Sequence, residues 1–134
     1  MKKENLLKKD KKSLYKLAEK HLHRFIVLRD KKRRGHCITC RSPIEEAGHF
    51  NHGGNNKYAF WCDFNEENLN GQCKQCNLFR SGNLNIYAEE IKRLYGADKI
   101  DELNALTWKS QDWNNEDLVD IIEKYRKLCK TLDN

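Results

Sequence analysis

No stretch of this sequence stays apolar for the roughly 18 residues that a membrane-crossing helix requires. No charged start leads into an apolar segment with a small-residue cleavage site. Neither a transmembrane span nor a secretory signal is expected, and the expected location is the cytoplasm. Proline occurs once, at Pro43, and no internal repeat, low-complexity tract or long linker breaks the 134 residues. One domain overall is expected. Apolar residues are also scarce, 38% against 34% charged, so the core must be small and needs another source of stability. Disulfides are disfavoured as that source, because the six cysteines lie in a chain without an export signal. Four of them form Cys37-Ile38-Thr39-Cys40 and Cys73-Lys74-Gln75-Cys76, and paired Cys-x-x-Cys knuckles in a reducing compartment point to metal. Four thiolates close a tetrahedral zinc site, worth roughly 10 kcal/mol or more of folding free energy. Cys62 and Cys129 stand apart and read as ordinary half-buried thiols.

Charge is unevenly placed within the net +6. Residues 1–34 carry 14 Lys/Arg against 4 Asp/Glu, and the remainder carries 12 against 16. A cationic arm on a mildly acidic body suggests a polyanionic partner, nucleic acid in preference to membrane. Arg24, Arg29, Lys31, Lys32, Arg33 and Arg34 are the candidate phosphate contacts. Each such contact to duplex DNA lowers log affinity by about 0.9 per unit of log salt. No base-reading signature is present, which suits recognition of DNA shape.

Residues 1–10 read as loose. Leu14, Leu17, Ala18, Leu22, Phe25 and Leu28 recur at helical spacing, predicting a helix over 13–31 with Lys16, Lys20 and Arg24 on its outer face. Short strands are expected over 47–51 and 58–64, joined by Gly53-Gly54-Asn55-Asn56 and followed by a polar loop over 65–72. The second knuckle should open a helix that carries Asn77 on its first turn. Leu84, Tyr87, Ala88, Ile91 and Leu94 define another helix, stopped by Gly96. A short helix over 97–106 and a final one capped by Asn114 complete the chain. The last has Leu118, Ile121, Ile122, Tyr125, Leu128 and Leu132 inside, with Trp113 and Leu118 as a staple. Trp108, Trp113 and Tyr125 read as core, and His21 and His23 as helix surface. The fold class is α+β, a small zinc-stabilised ββα unit wrapped by helices. It divides into a basic arm and helix (1–34), a zinc-bound core (35–96) and a helical C-terminal segment (97–134).

A four-thiolate zinc site has every position filled and does not readily activate water. Chemistry needs a second, open site, and hard cations such as Mg²⁺ take oxygen ligands there. Phosphodiester hydrolysis requires a base, for which histidine is suited near neutral pH, and a cation for the developing charge. His49 is the candidate base, with His52 as its substitute. Glu46 and the side-chain oxygen of Asn77 are candidate ligands of the catalytic divalent ion. His36, beside Cys37, is a possible competitor for zinc that four thiolates make unnecessary.

The order Cys-x-x-Cys, His49, Asn68, Cys-x-x-Cys-Asn77 resembles the HNH, or ββα-metal, nucleases. A closer resemblance is to the bacteriophage lambda NinG family, also called Rap. It is carried by Phe25-Ile26-Val27-Leu28-Arg29-Asp30, the first knuckle, Ala47-Gly48-His49-Phe50 and Phe64-Asn65-Glu66-Glu67-Asn68. It continues through Gln72-Cys73-Lys74-Gln75-Cys76-Asn77, Ser81-Gly82-Asn83-Leu84, Tyr87 and Tyr95-Gly96, so it covers roughly residues 25–106. It implies a Mg²⁺- or Mn²⁺-dependent endonuclease that cuts branched recombination intermediates, Holliday junctions and D-loops, in a phage-infected bacterial host. It makes His49 the base. Phage endonuclease VII, a related junction resolvase, has a carboxylate and an asparagine at the positions of Glu46 and Asn77. Asn68 corresponds to the middle HNH asparagine, which usually braces the loop. Many HNH enzymes place Asp directly before the base, where this chain has Gly48. The NinG pattern often has histidine at the positions of Glu46 and Asn70. Symmetric junction cutting requires two active sites, so a homodimer is an expectation, with the C-terminal helix as its interface. The alternatives are an HNH endonuclease acting on ordinary duplex DNA, a non-catalytic zinc-dependent DNA-binding module, and a protein-interaction zinc ribbon.

Overall fold

The computed structural model describes residues 2–133. Residues 2–10, expected as loose, are partly ordered. Lys3–Leu6 form a short helix (α1) whose Leu6 is 1% exposed, packed with Leu14, Leu118 and Ile122. One buried leucine anchors an otherwise cationic, exposed segment. The long helix α2 spans Lys11–Arg33, and the Asp10 side chain caps it by accepting from the Ser13 amide at 2.8 Å. Its inner face matches the predicted one at Leu14, Ala18, Leu22 and Phe25, and adds Tyr15, Ile26 and Asp30.

The sheet differs from expectation. Strand β1 is Glu46–His49, and its antiparallel partner β2 is Leu69–Gln72, with Glu46 opposite Gln72 and His49 opposite Leu69. The segment expected as the second strand instead forms a short helix, α3, at Phe60–Asp63, and the expected polar loop supplies β2. Aromatic Phe60 and Trp61 favour a half-buried surface, which a helical turn also provides. Phe60 stacks on Trp113 at 5.0 Å, and the Trp61 indole donates to the Ser110 carbonyl. The strand Leu-Asn-Gly-Gln lacks β-propensity but is wholly buried. Tertiary hydrogen bonds hold much of it, with Asp30 accepting from the Gly71 amide at 2.7 Å and Gln72 Nε2 donating to the Gly82 carbonyl at 2.9 Å.

After the second knuckle the chain makes a π turn over Gln75–Phe79, then α4 (Leu84–Tyr95), α5 (Asp98–Ala105), a 3₁₀ turn over Leu106–Trp108, and α6 (Asn115–Asp133). Asn114 and Asp117 cap α6 reciprocally, each side chain accepting from the other's amide. The apolar face of α6 lies against α2 with Tyr125, Ile122 and Leu118 buried, as its helical spacing predicts. Trp108 is 86% exposed rather than core. The architecture is α+β: helices around one two-stranded sheet. Among the described residues no helix is long and apolar enough to cross a membrane.

Candidate metal centre and polar site

The knuckles meet. All four sulfurs of Cys37, Cys40, Cys73 and Cys76 lie within 4.8 Å of one another. Tetrahedral sulfurs bonded to zinc at about 2.3 Å stand about 3.8 Å apart, so the set fits one zinc ion. The backbone is already shaped for it: Arg41, at φ 67°, turns the first loop so that its amide reaches the Cys37 carbonyl. His36 stays out of the sulfur cluster, its Nδ1 bonded to the Cys37 carbonyl at 2.8 Å. The isolated Cys62 and Cys129 are buried, and burial pushes the Cys62 thiol up to about 11.

Successive side chains of a strand point to opposite faces, and here the two faces carry different chemistry. Ala47 and His49 face α2, where Ala47 packs with Leu22, Phe25 and Ile26. Glu46 and Gly48 face the π turn. A Cβ built on Gly48 would lie 1.9 Å from Gln72 Oε1 and 2.8 Å from Asn77 Oδ1. A larger residue here would have to displace both amide side chains, and the cradle that glycine leaves is lined by their oxygens. An aspartate at this position, as in many HNH enzymes, would collide with Gln72. Glu46, two residues back on the same face, accepts from Asn77 Nδ2 at 2.7 Å. That bond leaves Asn77 Oδ1 turned towards Gly48.

Gln72 is fixed by its own donors, Nε2 bonding to Thr39 Oγ1 at 3.1 Å and to the Gly82 carbonyl at 2.9 Å. Its Oε1 is a buried acceptor with no partner among the described residues, a condition that normally costs about 1–3 kcal/mol. Asn70, opposite Gly48 in the register, has a second buried acceptor without a partner, Oδ1. Glu46, Asn77 and Gln72 thus fit a hard divalent cation such as Mg²⁺ or Mn²⁺ by donor type. Sequence reading identified Glu46 and Asn77 but missed Gln72, whose role depends on a cross-strand contact.

His49 leaves the strand on the other face, where its ring bonds and stacks with Asp63, His52 and His23 rather than with Glu46 or Asn77. Its Nε2 is 3.0 Å from Asp63 Oδ1. Asp63 also accepts from the Tyr15 hydroxyl through Oδ2, so both carboxylate oxygens are engaged and the ring is oriented. With Nε2 donating, Nδ1 carries the lone pair. His52 stacks on His49 at 5.0 Å, and His23 meets it edge-on at 5.8 Å. Tyr15, Glu19 and His23 form a single stripe along α2, four residues apart, a polar spacing within the apolar helix pattern that sequence reading passed over. Burial, aided by the charge on Asp63, pushes the Glu19 carboxyl up, while His49 opposes it.

His23 is not surface. Its Nε2 is buried without a partner, and burial, then the neighbouring His49, pull its pKa down to about 4. His23 is neutral in the fold and protonates near 6.5 once unfolded. The unfolded state therefore binds the extra proton, and stability falls as pH drops from about 6.5 towards 4. Between pH 7 and pH 5 the loss attributable to this residue should be about 2 kcal/mol. Urea unfolding at both pH values checks it: His23→Phe should shrink the difference, and an unchanged difference would show that His23 is not its source.

Asn68 is buried and engaged on both sides. It donates to the Asn51 and Cys62 carbonyls at 2.8 and 2.9 Å and accepts from the Asn51 amide. It braces the 50–62 loop and holds no open valence for chemistry. The cationic residues divide. Arg29 binds Asp30 at 2.8 Å and the Glu66 and Leu69 carbonyls, and Arg34 binds the His36 carbonyl at 2.9 Å and Asp30. Both are withdrawn from phosphate contact because they neutralise a fully buried Asp30. Burial opposes that charge, but Arg29, the Gly71 amide and Arg34 hold the carboxyl below its usual range. Arg24 pairs with Asp133, and Arg33 bonds Asp30 and the Tyr95 hydroxyl while staying exposed. Lys31 and Lys32 are exposed.

A profile of the family described as Bacteriophage Lambda NinG protein matches residues 1–134. The ninG protein of Escherichia phage lambda is 31% identical over 122 residues, 89% of this chain and 57% of the relative. That of Escherichia phage 933W is likewise 31% identical, over 89% of this chain and 58% of its own. The ninG protein of Salmonella phage P22 is 30% identical over 120 residues, 87% of this chain and 56% of the relative. The chain therefore spans under three-fifths of the length of the curated relatives it matches. No solved structure matches it. With its paired knuckles, its Gly48 cradle and a match that runs from end to end, the chain belongs to the Bacteriophage Lambda NinG protein family.

Proposed function

We propose that this chain is a metal-dependent endonuclease that hydrolyses phosphodiester bonds in branched DNA on a zinc-stabilised ββα-metal core of the HNH type. One observation carries the reading. Consecutive residues of β1 serve two chemistries, an oxygen cradle at Gly48 formed with Glu46, Asn77 and Gln72, and an oriented His–Asp pair at His49. The order of β1, β2, second knuckle and Asn77-bearing turn supports the ββα assignment.

A cation held by Glu46, Asn77 Oδ1 and Gln72 Oε1 would supply stabilisation of the charge developing on the phosphate and the leaving 3′-oxygen. His49 Nδ1 takes a proton from water as the water oxygen bonds to phosphorus and the bond to the 3′-oxygen breaks. Asp63 holds the ring and balances the imidazolium that results, as carboxylate partners of catalytic histidines do. The zinc unit supplies the rigid frame, since Cys76 directly precedes Asn77. Lys31, Lys32 and the exposed Arg24 and Arg33 bind the DNA backbone.

The test is an assay on synthetic four-way junction, flap and linear duplex of matched sequence, with Mg²⁺, Mn²⁺ or no added divalent ion. Metal-dependent cutting of the branched substrates, with duplex cut far more slowly, is the expected result. Equal cutting of all three would make the protein a duplex endonuclease. Salt-sensitive binding with no metal-dependent product would make it a non-catalytic zinc module.

A further inference from the structure

Directly after Asn77 the π turn presents two large apolar side chains to solvent, Leu78 at 60% and Phe79 at 77% exposed. Neither belongs to a core cluster among the described residues. Scattered exposed apolar residues are ordinary, but a consecutive pair beside a candidate catalytic residue is not scattered. The pair is also held rigidly. On one side Cys76 is buried in the sulfur cluster. On the other the Gly82 amide donates back to the Cys76 carbonyl at 2.8 Å, and the Arg80 amide to Gln75 at 3.0 Å.

Three successive residues, Ser81, Gly82 and Asn83, have left-handed φ of 50°, 88° and 53°. For Ser81 that conformation is unfavourable and persists only where surroundings impose it, whereas glycine and asparagine adopt it readily. The Asn83 side-chain Nδ2 donates to Cys76 Sγ at 3.7 Å, tying the turn to the knuckle. Lys74 and Arg80 flank the pair, both exposed and without an ion pair among the described residues. Cations bordering an apolar tip match a ligand with phosphates around an apolar, stackable face, which describes a nucleobase on its backbone.

We infer that Leu78 and Phe79 form a wedge that stacks on unpaired or unstacked bases, and that this wedge is the element that senses a DNA branch. The inference rests on the nucleic-acid part of the reading above. Apolar wedges inserted into continuous duplex must first unstack a base step, at a cost of a few kcal/mol. At a branch point the stacking is already interrupted, so the same side chains gain contact without that cost. Discrimination between branched and linear DNA then follows from deformation energy and needs no base-specific hydrogen bond. The distance from chemistry is one residue, which places the opened bases beside the phosphate to be cut.

The test compares the wild-type 134-residue chain with the Leu78→Ser/Phe79→Ser double variant and with Phe79→Trp, in buffer without added Mg²⁺ or Mn²⁺. One equivalent of zinc per chain in each confirms folding. Fluorescence anisotropy gives affinity for a four-way junction and for matched linear duplex, and 2-aminopurine at the junction centre reports unstacking. The double variant should lose on the order of tenfold of its preference for the junction, with duplex affinity unchanged, and should lose the 2-aminopurine signal. Phe79→Trp should keep both. An unchanged preference, or equal loss on both DNAs, overturns the inference. So does sedimentation showing wild-type self-association that the double variant abolishes while junction binding stays intact, because the pair would then join two copies of the chain. Failure of hydrolysis in the Mg²⁺ assay leaves these binding readouts in place, so the two readings fail separately.

Discussion

Removing zinc from the four-cysteine site is expected to melt the sheet and everything that hangs on the second knuckle, while the pair of long helices stays helical. A structural zinc supplies roughly 10–16 kcal/mol of apparent binding free energy, comparable with the whole net stability of a domain, about 5–15 kcal/mol. The loss is not evenly distributed. Leu22, Phe25, Ile26 and Tyr125 bury one another between α2 and α6 with no zinc-site cysteine among them. By contrast, Ile38 of the first knuckle packs with Tyr87, Ile91 and Leu103, and Cys76 precedes the turn that carries Asn77. Cys73→Ser, or a chelator strong enough to strip thiolate zinc, should therefore leave much of the far-ultraviolet helix signal. Hydrogen-exchange protection should vanish over residues 37–49 and 69–91. Full protection of those segments in metal-free protein would show that the four sulfurs are only a cluster of buried thiols.

The long helices were legible because their apolar residues repeat at 3.6, and the start of α6 because Asn114 caps it, whereas the Asp10 cap starts α2 two residues before the expected Ser13. The four cysteines were legible because thiolate ligation imposes a short, fixed spacing. Strand β2 was hidden because its side chains are buried for tertiary reasons: Gln72 is held by Thr39 and Gly82, and Gly71 by Asp30. No local propensity signals that. The same holds for Arg29 and Arg34, which share a basic run with Lys31 and Lys32 and differ only in facing Asp30. Within the site, Glu46, His49 and Asn77 stood out by residue type and order. Asp63, Tyr15 and Gln72 did not, because each acquires its role only when distant segments meet. The split of Glu46 and His49 onto opposite faces follows from their odd separation along β1, once that segment is known to be extended.

His49→Ala is expected to reduce junction cleavage by about 10²- to 10⁴-fold, the usual contribution of a positioned general base. Junction affinity without added Mg²⁺ should be unaffected, since the ring is largely buried, with 13% of its side chain exposed. Asp63 touches His49 and Tyr15 but no candidate cation ligand, so it acts through the imidazole. Asp63→Asn should therefore lower the rate, and the Asp63→Asn/His49→Ala pair should be no slower than His49→Ala alone. Such strong non-additivity is the signature of residues acting as a unit. Additive losses would mean that Asp63 contributes by another route, for instance through the Tyr15–Glu19–His23 stripe. His52 stacks on the same ring and is exposed, which makes it the decisive control. If His52→Ala abolishes cleavage while His49→Ala retains it, the proton passes to His52, and the Asp63 pairing is structural. The variants of Glu46 and Asn77 separate the two faces of β1: their loss should be partly recovered by raising Mn²⁺, whereas that of His49→Ala should not, because a weakened cation site responds to cation concentration and a missing base does not.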